Sequence, residues 1–99
     1  MSWATAHIAK LNAGETVQFR PSGYSMRGRV AHRSLCTVKP VGDQEVVEGD
    51  VVLCKVNGRQ YLHLVKACSG GRYLIGNNIG GTNGWIGRNG IYGILEKSE

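Results

Sequence analysis

The chain has no pair of cysteines two residues apart, and only three cysteines in all: Cys36, Cys54 and Cys68. An odd, widely spaced set argues against a disulfide framework and a zinc knuckle. It suits a reducing compartment, and the expected location is cytoplasmic. No apolar run approaches the ~18 residues of a membrane span, and the first residues lack the apolar core of a signal peptide. The expectation is therefore a soluble domain with no bound metal or cofactor. Between Glu15 and Asp43 there is no acidic residue, and that stretch holds Arg20, Arg27, Arg29, Arg33 and Lys39. Those five account for the whole net charge of +5. Such a basic stretch suits nucleic acid, an anionic membrane or an acidic peptide, and it equally suits a plain solvated face.

Proline is scarce, at 2 residues, and glycine abundant, at 15. Many glycines among short apolar runs point to tight turns in a mostly β fold. Ninety-nine residues make one domain, 1–99, and not two. Residues 2–12 read as a short helix with Ser2 as N-cap, Gly14 as stop, and Trp3, Ile8 and Leu11 on one face. From Thr16 the pattern changes to strands: T-V-Q-F-R, then L-C-T-V-K-P-V, then D-V-V-L-C-K-V. Asn57-Gly58 between two apolar runs is a strong hairpin signal, with Y-L-H-L-V-K-A-C as the return strand. R-Y-L-I-G and G-I-Y-G-I-L-E-K follow, separated by a Gly- and Asn-rich connection. Five or six strands joined by short turns predict a small, coiled, partly open β-barrel with one N-terminal helix.

Two places can carry chemistry. In Ser22-Gly23-Tyr24-Ser25-Met26 a serine sits in a Gly-containing turn after a strand. Its hydroxyl can be exposed, and its own N–H can face a substrate carbonyl. Most serines in such turns are only turn formers. His63 is the histidine embedded mid-strand; alternation puts it on one face with Tyr61 and Val65, away from Leu62, Leu64 and Lys66. Partial burial keeps such a ring neutral and able to accept a proton. A core histidine with a structural hydrogen bond fits the same pattern.

S-G-Y-S-M resembles the serine box of signal peptidases, in which the second serine, here Ser25, is the nucleophile. G-D-V-V-L-C-K-V-N-G-R-Q-Y-L-H-L-V-K is similar to that family's next stretch, where a G-D turn starts a strand and a hairpin returns with the general base. His63-Leu64-Val65 stands where the endoplasmic-reticulum type has its histidine, and where bacterial signal peptidases and LexA-type proteins have lysine. Gly76-Asn77-Asn78 resembles the family's G-D-N, and G-I-Y-G-I-L its closing strand. The likeness spans about residues 16–97. It implies the signal peptidase/LexA catalytic-core type of barrel and a serine endopeptidase with a Ser25–His63 dyad. Ser22 and the Ser25 N–H would hold the oxyanion, Asn77 would support the base, and a peptide or protein would be the substrate. Met26 is followed by Arg27, Gly28 and Arg29 rather than by the family's proline two residues on, and Asn77 replaces an aspartate.

Three alternatives stand beside this reading. Lys66 is the rival base, but an odd offset from His63 puts it on the other face unless a bulge intervenes. The domain could keep the fold and bind an extended peptide without cleaving it. Or it could be a basic barrel that binds nucleic acid through Arg20, Arg27, Arg29 and Arg33, with Tyr24 stacking on bases.

Overall fold

A computed structural model describes residues 3–21, 30 and 32–99. The elements are α1 (Thr5–Asn12), β1 (Val17–Phe19), β2 (Cys36–Pro40), β3 (Val51–Val56), β4 (Arg59–Ser69), β5 (Arg72–Gly76), β6 (Thr82–Gly87), a 3-10 turn (Arg88–Gly90) and β7 (Ile91–Ser98). All strands join one antiparallel sheet in the order β1-β2-β7-β3-β4-β5-β6, open at both edges. The sheet curls far enough to bring β6 against β3, where Gly84 meets Val56. Among the described residues no helix is long and apolar enough to cross a membrane.

Curling gives the sheet two cores. On one face α1 lays Ala4, Ile8 and Leu11 over Val17, Val38, Leu53 and Leu62. On the other, Val52, Cys54, Val65, Ile75, Ile86 and Ile94 pack into the concave interior. Strand alternation sorts them: Leu53 and Leu62, cross-strand partners, go to the helix side, while Val52 and Cys54 go inside. Burial pushes the Cys54 thiol up to about 12, so it behaves as a small apolar side chain.

The helix starts without a side-chain cap of its own. Instead buried Gln60 reaches across from β4: its Oε1 accepts from the Ala4 N–H at 2.7 Å, and its Nε2 donates to Thr5 Oγ1 at 3.0 Å. Ser2, the expected cap, lies outside the described residues. Trp3 precedes the helix half-exposed and does not join the Ile8–Leu11 face; its indole donates to the Gln60 carbonyl. At the other end Gly14 takes φ +88, with Gly14 N–H on the Leu11 carbonyl and Glu15 N–H on Lys10. That is the Schellman pattern expected of a helix-ending glycine. Asn57 and Gly58, at φ 50 and 81, make the two-residue β3–β4 turn.

The described residues form seven strands where five or six were expected. The addition is β6, drawn from the connection T-N-G-W-I-G. Glycine depletes its strand signal, and pairing with β5 supplies what propensity does not.

Helix and sheet approach each other closely at Gly93. A β-carbon there would lie 2.6 Å from Val38 Cγ1 and 2.9 Å from both Leu11 Cδ1 and the Lys39 carbonyl. Gly93→Ala should lower stability by about 1–3 kcal/mol in urea melts. Gly87→Ala, where a β-carbon meets nothing within 4 Å, should stay within about 0.5 kcal/mol.

Candidate active site

His63 sits mid-β4, opposite Val52, with 8 % of its surface exposed. It shares the concave face with Val65, and its ring stacks on Tyr61 with centroids 4.7 Å apart and planes 27° from parallel. Its Nδ1 lies 2.8 Å from Asn83 Oδ1. A carboxamide oxygen only accepts, so Nδ1 carries the hydrogen and Nε2 keeps the lone pair. Burial lowers the ring's pKa below its ordinary 6.5, and the Asn83 bond opposes this in part. The imidazole is thus neutral at neutral pH, oriented from behind by an amide, with Nε2 as its basic atom.

Asn83 escapes a sequence reading because a bulge aims it. Ile75 pairs with Gly84 and Gly76 with Thr82, so β6 holds one residue more than β5 across that step, and the extra one is Asn83. A bulge breaks the alternation and turns a side chain toward a face it would otherwise miss. Gly84, at φ +141, supplies the backbone freedom next to it.

Asn77, expected to support the base, is engaged elsewhere. Its Oδ1 accepts from the Gly81 N–H at 2.8 Å and the Ile79 N–H at 3.0 Å, and its own N–H donates to the Gly81 carbonyl. It therefore organises the β5–β6 turn, and the carboxamide that meets the histidine comes from Asn83, one strand further on. Lys66 is the extra residue of a second bulge, between Val65–Ile75 and Ala67–Leu74. Its stem lies over Gly76, the partner of Leu64, on the face away from His63.

Ser22 and Ser25 lie outside the described residues. The ends of the segment that carries them are joined: Arg33 N–H donates to the Pro21 carbonyl at 2.7 Å, and Arg20 Nη1 to the Arg33 carbonyl at 3.0 Å. Arg33 takes φ +60 to make this closure. Next to it Leu35 and Glu99 exchange backbone hydrogen bonds at 2.8 Å, which extends the β2–β7 ladder to the base of the segment. Comparison with protein-family models, curated proteins and solved structures finds no match for this chain. Among the described residues no group of three or more His, Cys, Asp and Glu side chains could hold a metal ion. Asp50 serves its turn, its Oδ2 accepting from the Val47 N–H at 2.9 Å.

The lowered pKa has a sign that can be followed. A histidine that binds its proton less well when folded adds stability above pH 6.5, and that contribution is lost as pH falls below 6.5 toward the folded value. An NMR titration of the His63 ring should give a midpoint below 6.5. Asn83→Ala should lower it further, because the hydrogen bond favours the cation, and Asn83→Asp should raise it. A midpoint at or above 6.5 in the wild type would contradict the neutral-base geometry.

Proposed function

We propose that the chain is a serine endopeptidase with Ser25 as nucleophile, His63 as general base and Asn83 as the residue that positions the base. The observation that carries the reading is the buried, neutral His63 held through Nδ1 by Asn83. A histidine whose tautomer is set from behind is the arrangement of serine and cysteine hydrolases, in both their carboxylate and their asparagine versions. The S-G-Y-S-M box and the hairpin that bears His63, both similar to the signal peptidase and LexA group, add the nucleophile. On this reading the open antiparallel sheet is of that group's catalytic-core type, and its three free thiols suit a reducing cytoplasm.

The chemistry runs as acyl transfer. Ser25 Oγ gives its proton to His63 Nε2 and attacks the carbonyl carbon of a peptide bond. The resulting oxyanion takes hydrogen bonds from the Ser25 N–H and from Ser22. His63 then passes its proton to the leaving nitrogen, the C–N bond breaks, and an acyl-enzyme remains. Water repeats the sequence: it gives a proton to His63, attacks the ester, and releases the acid and Ser25. No cofactor enters these steps.

Labelling with a fluorophosphonate, read by intact mass, tests the assignment. The wild type should take one adduct, Ser25→Ala none, and His63→Ala about 10²–10⁴-fold less rapidly. Lys66→Ala should label as fast as wild type, and loss of labelling there would transfer the base to lysine. Asn83→Ala should slow labelling by about 10–100-fold, with Asn83→Asp restoring it. The rate should climb with pH along an acid limb whose midpoint lies below 6.5. Absence of any adduct in the wild type would favour the second reading, a fold that binds an extended peptide without cutting it. The neutral amide behind His63, in place of a carboxylate, is the feature that fits that alternative.

A further inference from the structure

The sheet face that turns away from His63 is covered by α1 only in part. Beyond the helix, Ala67, Leu74 and Trp85 pair directly across β4, β5 and β6 and so stand in one row. Trp85 is 44 % exposed. Arg72, two residues before Leu74, shares its face at one flank of the row. Lys66, its stem over Gly76, stands at the other flank. At a strand rise of about 3.4 Å per residue, Arg72 and Gly76 are roughly 14 Å apart along β5, with Leu74, the cross-strand partner of Trp85, midway between them. Arg72 Nη2 also donates to the Trp85 carbonyl at 3.4 Å.

The stretch of chain that forms this row carries charge of one sign. Residues 51–95 contain Lys55, Arg59, Lys66, Arg72 and Arg88 and not one Asp or Glu. Among the described residues the ion pair present is Lys97–Glu99, and no carboxylate comes within 4.0 Å of Lys66 or Arg72. The turn with Asp43, Glu45, Glu48 and Asp50 lies beside β4 through the Gly49–Val65 hydrogen bond, and Asp50 is turned to the Val47 N–H. An exposed indole on the same face as two cations without carboxylate partners offers a stacking surface for a base and charges for the phosphates of one strand.

We propose that this face binds single-stranded nucleic acid, with a base stacked on Trp85 and with Lys66 and Arg72 on phosphates of the same strand. An unpaired base is required because a duplex hides its faces from a stacking side chain. This outer face of the curled sheet presents strands side by side, with no helix or ribbon projecting to enter a groove. An acidic polypeptide would satisfy the two cations but leave the indole without a planar partner. The site is on the opposite face from His63 and does not depend on the peptidase reading.

Fluorescence anisotropy with a labelled oligothymidine of about fifteen nucleotides tests it. Binding should be saturable, with two phosphates neutralised and a log–log salt slope near −1.4. Trp85→Ala should weaken it about tenfold or more, and Lys66→Ser and Arg72→Ser should each remove about 0.7 from the slope. A Trp3→Phe variant leaves Trp85 as the sole tryptophan, and its emission should be quenched on titration with unlabelled oligothymidine. That readout keeps the test valid should Trp85→Ala fail to fold. Fluorophosphonate labelling of the Trp85→Ala and Arg72→Ser proteins should equal that of wild type, whichever way the peptidase test falls. No binding at low salt, or binding indifferent to all three substitutions without quenching, would overturn the proposal. So would a poly-glutamate peptide that binds equally well through the same residues.

Discussion

Strand β4 is buried on both faces, and the placement of the other elements follows from that. Its even positions Leu62 and Leu64 feed the helix-covered core, and its odd positions Tyr61, His63 and Val65 feed the concave one. A shift by one residue would exchange the two sets and put a leucine where the imidazole stands. The two-residue Asn57-Gly58 turn prevents that slip, because both positions hold left-handed backbone that fixes the pairing of Val56 with Arg59. Gln60, the first buried residue after the turn, ties the same register to the start of α1. Turn, register, helix docking and histidine orientation are thus one constraint expressed four times.

Bulges then determine what regular alternation cannot. The one at Lys66 lets Ala67 join the row with Leu74 and leaves the lysine stem lying over Gly76. The one at Asn83 delivers an amide to the interior at the level of His63. A third, where Leu53–Gly93 gives way to Cys54–Ile91, lets β7 place Ile91 and Ile94 inside while Tyr92 and Leu95 pack on the helix side. Each costs a ladder hydrogen bond locally and gains a side chain on a face it could not otherwise reach.

This division explains what was legible in the residues. The helix, the β3–β4 hairpin and the inward placement of His63 follow from periodicity and one strong turn signal, and these are properties of neighbours in sequence. The strand β6 was hidden because T-N-G-W-I-G is broken by Gly84 and Gly87 and shows no alternation; its strand character comes from β5 beside it. Asn83 was missed as a hydrogen-bond partner of His63 for the same reason. Asn77 follows directly on β5, where a family pattern suggested support for the base, but its amide is consumed by the backbone of the turn. Asn83 reaches the ring only through an extra residue that no local pattern announces. Ser22 and Ser25 rest on their sequence box alone.

If His63 is the base proposed above, the amide behind it also sets a trade between resting and reacting states. A carboxylate at that place would have to be stripped of water in the concave core, and it would hold the imidazole closer to its cation. An asparagine enters without that penalty and fixes the same tautomer. It leaves burial as the larger influence on the ring, so the base is neutral at neutral pH without help. The cost appears when a proton arrives, because a neutral oxygen steadies the imidazolium less than a charged one does. On the proposed peptidase reading, a site built this way would favour a poised base over a fast one and would suit slow chemistry.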